Sequence, residues 1–110
     1  MQDGFIEIAR VGDLQPDEMK AFEVEGRRLL LVFAQGDYYV VDEMCTHEDY
    51  SLALGCIKDR RIKCSLHGSY FDLRSGEPDE EPADEPICSY AVKVENDRIW
   101  VNPAQRRTQD

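Results

Sequence analysis

Histidine is scarce in this 110-residue chain: only His47 and His67 occur. Basic residues are also in deficit, with 13 Lys and Arg against 23 Asp and Glu, a formal net charge of −10. Neutralising phosphate needs a basic surface, so nucleic-acid binding is excluded as an expectation. No apolar run approaches the ~20 residues of a membrane span, so no membrane association is expected. No basic flank leads from Met1-Gln2-Asp3-Gly4 into an apolar stretch, so no signal peptide is expected and the chain should be cytoplasmic. A glycine-rich dinucleotide fingerprint is lacking, which argues against direct binding of NADH. Four cysteines are too few for a disulfide scaffold; in a reducing compartment, clustered cysteines more often bind metal or do chemistry.

What is present suits one small globular domain, with 42% hydrophobic and 33% charged residues. Residues 1–105 are expected to form that domain and 106–110 a polar tail, with fraying from Pro103 onward. No sustained 3.6-residue period occurs, so no long helix is expected. Strands are predicted at Phe5 to Ile8, Met19 to Val24, Arg28 to Ala34, Tyr38 to Val41, Ser89 to Val94 and Arg98 to Val101. Glu25-Gly26, Gln35-Gly36-Asp37 and Glu95-Asn96-Asp97 read as hairpin turns. Val11 to Asp17 has room for at most one helical turn. The fold class is all-β, a small antiparallel barrel or sandwich. From Glu43 to about Pro86 the rhythm breaks into a loop-rich insertion, and loops on a rigid scaffold are where sites tend to sit.

That insertion holds two mixed pairs, Cys45-Thr46-His47 and Cys64-Ser65-Leu66-His67, with sixteen residues between His47 and Cys64. Two thiols and two imidazoles could make a tetrahedral zinc site, but zinc ligands in a pair usually have two to four residues between them. Residues i and i+2 of an extended segment lie ~6–7 Å apart, suited to reaching two adjacent metals. A two-iron cluster can place two cysteines on one iron and two histidines on the other. Each segment would then supply one ligand to each iron.

With Gly68 next, this pattern resembles the Rieske [2Fe–2S] signature, and the likeness extends to Gly55 and Ser69-Tyr70-Phe71-Asp72. A chain of this size with a terminal hairpin is also similar to the stand-alone Rieske ferredoxins of aromatic-ring-hydroxylating dioxygenase systems. The resemblance implies a Rieske fold with residues 43–75 as the cluster-binding subdomain. It implies one [2Fe–2S] cluster held by Cys45, His47, Cys64 and His67, with Leu66, Gly68, Ser69, Phe71 and Pro82 beside it. The function implied is that of an electron carrier, not an enzyme. It would pass single electrons from a flavin-dependent, NAD(P)H-oxidising reductase to a terminal oxygenase, and a monomer is the simplest state.

Two ferric ions, two sulfides, two thiolates and two neutral imidazoles sum to zero charge, or −1 when reduced. An all-cysteine cluster sits two charges lower, which is why histidine ligation raises the potential. High-potential relatives tie their ligand loops with a disulfide; Tyr50 and Leu66 stand at the matching positions here. They also aim a serine and a tyrosine hydroxyl at the cluster sulfurs. Ser69 keeps the first, and Phe71 replaces the second. Fewer hydrogen bonds to sulfur lower the potential.

A mononuclear oxygenase iron needs two histidines and a carboxylate; the cluster uses both histidines, so the chain is not the oxygenase itself. A small subunit of another redox complex, such as an assimilatory nitrite reductase, or a zinc-stabilised interaction module are the alternatives. Cys56 and Cys88 are expected as buried thiols. Lys58, Arg60, Arg61 and Lys63 read as a charged hairpin, and the run from Glu77 to Pro86 as a solvated loop; the resemblance implies that its Pro82 and Pro86 shield the cluster. Glu48, Asp49 and Asp79 to Glu85 are the charges expected to steer partners. Trp100 could pack on either face of its strand.

Overall fold

The computed structural model describes residues 4–43, 52, 55–63, 70–73, 76–77 and 87–106. Nine strands are found among them: β1 (Ile6–Arg10), β2 (Glu18–Val24), β3 (Arg27–Ala34), β4 (Asp37–Asp42), β5 (Cys56–Lys58), β6 (Arg61–Lys63), β7 (Tyr70–Asp72), β8 (Ser89–Glu95) and β9 (Arg98–Arg106). Six pair antiparallel in the order β1-β9-β8-β4-β3-β2, and β5-β6-β7 form a second, smaller sheet. No α-helix occurs among the described residues.

The tight turns are where the sequence places them. Glu25-Gly26, Gln35-Gly36 and Asn96-Asp97 each hold two successive residues at positive φ, between 52° and 80°. Two such residues make the two-residue hairpin turn whose twist matches its flanking strands. The Val11–Asp17 link is a non-helical connection, tied down by Val11 N–H donating to the Asp97 carbonyl at 2.9 Å.

β3 explains the layering. Its side chains alternate between two cores, and both are apolar. Leu29 and Leu31 join Val40, Ile99 and Val101, while Leu30, Val32 and Ala34 join Tyr39 and Val41 on the opposite face. A strand solvated on one face would alternate apolar with polar; the unbroken run Leu29-Leu30-Leu31-Val32 marks one covered on both. Inside the first core, Ile6, Ile8 and Ala9 of β1 meet Phe22 and Val24 of β2, so the large sheet curls until its two edge strands share one interior. The second core is roofed by Ile62 of β6 and Phe71 of β7, cross-strand neighbours with no exposed area, together with Leu52, Leu73 and Ile87. Each such side chain contributes about 1.5–3 kcal/mol on burial.

Four expectations need correction. The segment read as a loop-rich insertion contains the three strands β5 to β7. The last strand does not stop at Val101 but continues to Arg106. Pro103, expected to fray, is buried, and its carbonyl accepts a hydrogen bond from Arg27 Nη1 at 2.8 Å. Cys56 is an exposed free thiol rather than a buried one, because the pairing of β5 turns it outward; Cys88 is half-buried and also free. Trp100 lies on the outward face of β9, between the core residues Ile99 and Val101 and across from Glu7 and Lys93.

Candidate metal centre

Cys45, His47, Cys64 and His67 lie outside the described residues, as do Leu66, Gly68, Ser69, Pro82, Pro86, Glu48, Asp49 and Tyr50. The structure defines instead the frame from which the two signature segments leave and to which they return.

The first segment, 44–51, starts at the end of β4. There the Leu52 amide donates to the Glu43 carbonyl at 2.6 Å and closes the segment at its base. Glu43 is itself fixed. Its amide donates to the Arg28 carbonyl at 3.3 Å, and Arg28 Nε donates to its carboxylate at 2.7 Å. That carboxylate is nearly buried whereas the Arg28 side chain is largely exposed, so the cation stays hydrated while compensating the buried charge. The bond to Glu43, with the attraction of its charge, raises the Arg28 pKa.

One residue earlier, Asp42 is bracketed by β8 and the residue that precedes it. The Tyr90 hydroxyl donates to its Oδ1 at 2.6 Å and the Cys88 amide to its Oδ2 at 2.9 Å. Burial, then the Asp42 hydrogen bond, pushes the Tyr90 phenol well above its ordinary range. The exit of β4 is therefore held from both sides, by β3 through Arg28 and by β8 through Tyr90.

The second segment, 64–69, joins Lys63 to Tyr70, the last cross-strand pair of β6 and β7. Its two ends are thus neighbours across a sheet. Gly55 ties the two frames together: its amide donates to Leu52 at 3.0 Å, and a Cβ at this position would overlap the Lys63 carbonyl. Only glycine lets the return of the first segment approach so near the start of the second. Gly76 has the same role at the Ile87 carbonyl, with φ of 79°. Ser89 Oγ, donating to the Leu73 carbonyl at 2.7 Å, fastens the small sheet to β8.

Of the residues placed beside the cluster, Phe71 alone is described. Its ring is fully buried against the β3–β4 face. Sequence reasoning missed Arg28, Asp42, Glu43 and Tyr90. The available signal was two carboxylates at the end of an apolar strand, one residue short of the Cys45–His47 pair.

Among the described residues no three His, Cys, Asp or Glu side chains converge to hold a metal. The donors that fit one are the signature's two thiols and two imidazoles, soft and borderline ligands suited to iron–sulfur chemistry. The short segments carrying them both issue from hydrogen-bonded, mutually packed bases.

Residues 4–91 match the Rieske [2Fe-2S] domain family. The chain is 33% identical over 95 residues to the ferredoxin component of biphenyl 2,3-dioxygenase from Rhodococcus jostii, covering 86% of this chain and 89% of the relative. It is 32% identical to the ferredoxin component of the naphthalene 1,2-dioxygenase system of Pseudomonas putida, over 89% of this chain and 94% of that one. The solved ferredoxin of carbazole 1,9a-dioxygenase from Nocardioides aromaticivorans superposes with a TM-score of 0.86 at 30% identity, covering 90% of this chain and 97% of the other. With its curled sheet, its small second sheet and the braced residues that flank its two signature segments, the chain belongs to the Rieske [2Fe–2S] domain family and is an electron-transfer ferredoxin carrying one such cluster.

Proposed function

We propose that this ferredoxin passes single electrons from a flavin-dependent NAD(P)H reductase to the terminal oxygenase of an aromatic-ring-hydroxylating dioxygenase system, with Cys45, His47, Cys64 and His67 holding its cluster. The observation that carries the proposal is the near end-to-end likeness to chains named as ferredoxin components of such systems. Bound by these four residues, a [2Fe–2S] cluster supplies a one-electron couple. The remaining work belongs to the chain. The Glu43–Leu52 closure and the Lys63–Tyr70 pair hold the donor segments at fixed bases, and Arg28 keeps Glu43 in place. Phe71, Leu73 and Ile62 exclude water beneath the small sheet.

The protein is proposed to work as a cytoplasmic monomer. An electron carrier with two successive partners needs brief contacts, so weak interfaces at the small end of the size range are expected. Reconstitution tests the proposal. Mixed with the reductase and oxygenase encoded in neighbouring reading frames, the protein should support NADH-dependent dihydroxylation of an aromatic substrate, and the reaction should stop when it is omitted. Coupling to a nitrite-reducing flavoprotein instead would assign it to the alternative complex.

A further inference from the structure

Four cations fall within six residues on the β5–β6 hairpin: Lys58, Arg60, Arg61 and Lys63, with Asp59 the sole carboxylate among them. The rest of the chain is strongly acidic, so this is a local reversal of sign. The register sets Cys56 beside Lys63 and Lys63 beside Tyr70, and Lys58 beside Arg61 and Arg61 beside Asp72. Ile57, Ile62 and Phe71 point into the core, so by strand alternation these residues share the outward face.

The face is organised. The Arg61 guanidinium lies 4.7 Å from the centre of the Tyr70 ring, and Lys63 Nζ lies 5.8 Å from it. Lys58 and Arg60 are exposed, and among the described residues no carboxylate forms an ion pair with either. Like charges side by side on a sheet cost stability. Solubility does not require them, because the net charge of −10 already provides it. Their position gives another reason: Lys63 and Tyr70 are the two ends of segment 64–69, so the cationic face adjoins the segment that carries Cys64 and His67.

We propose that this face is a docking surface for an acidic, Asp- and Glu-rich patch on a redox partner protein. Lys58 and Arg60 steer the approach, and Arg61 and Lys63, stacked on Tyr70, form the centre of contact. The proposal rests on His67 being a cluster ligand. It gives the face next to that segment the opposite sign from the acidic steering residues expected of the chain as a whole.

The test oxidises the reduced holoprotein in a stopped-flow instrument with ferricyanide, a one-electron anionic acceptor, over a salt series. Net charge alone predicts that salt speeds this reaction between two anions. The cationic face predicts that salt slows it. Lys58→Glu and Arg60→Glu should each lower the low-salt rate by about three- to tenfold. Arg10→Glu changes the net charge equally from an exposed site on β1, at the far edge of the large sheet, and should have a much smaller effect. A wild-type rate that rises with salt, or equal effects from Arg10→Glu and Lys58→Glu, overturns the proposal.

Failure of the ligand assignment would look different, as protein lacking the visible absorption of a cluster. The docking claim then still meets a second measurement, titration of 15N-labelled protein with a hexaglutamate peptide. Amide shifts concentrated at residues 58–63 and Tyr70 support it, and shifts elsewhere or none overturn it.

Discussion

Glu43 is nearly buried, two residues before Cys45, and Arg28 is the partner that makes its charge tolerable there. Arg28→Ala should lower the thermal midpoint and speed loss of the cluster's visible absorption, with Arg28→Lys restoring part of both. Tyr90 tests the other side of the β4 exit. Tyr90→Phe removes the hydroxyl that donates to Asp42 and should cost about 0.5–1.5 kcal/mol in denaturant unfolding at neutral pH. A phenol raised in the folded state contributes stability that is complete below its unfolded value near pH 10 and declines above it. Wild type should therefore lose stability above about pH 10, and Tyr90→Phe should lose less. Phe71 bears on the potential. With no hydroxyl on that ring and no inter-loop disulfide, the midpoint should lie near the lower limit of the Rieske range, roughly −150 mV, and Phe71→Tyr should raise it if the new hydroxyl reaches a sulfur. A wild-type midpoint above about +100 mV in a redox titration would contradict this account of the cluster's surroundings.

At the scale of elements, the small sheet and the Gly55 contact join the residues that flank the two donor segments. Gly55→Ala drives a methyl into the Lys63 carbonyl and should cost about 1–3 kcal/mol in unfolding experiments, with faster cluster loss. Ile62→Ala empties the roof over β3 and should cost about 2–5 kcal/mol. Six of the nine strands among the described residues were legible in the sequence, because alternation and paired turn residues such as Gln35-Gly36 are local signals. β5, β6 and β7 were not: each has three residues, too few for a period to show, and each is held by packing on a distant strand. The continuation of β9 past Val101 was hidden by Pro103, which reads as a terminator but has its carbonyl bonded to Arg27. The donor signature was readable because it is a spacing. The Arg28–Glu43 brace was not, since it joins residues of two strands through tertiary pairing.

For the whole molecule, the curled sheet is a rigid pedestal. Its second apolar face, formed by Leu30, Val32, Tyr39 and Val41, carries the small sheet and thus the bases of both donor segments. Metal binding is coupled to folding, so His47→Ala or His67→Ala should abolish cluster loading and loosen the small sheet, while the six-stranded sheet keeps its far-ultraviolet dichroism. Everything rests on what the four donors hold. The most direct measurement is analysis of iron, zinc and acid-labile sulfide in protein as isolated, read alongside its visible spectrum. Two irons and two sulfides per chain in a coloured protein are the predicted result. Stoichiometric zinc in a colourless protein would contradict it.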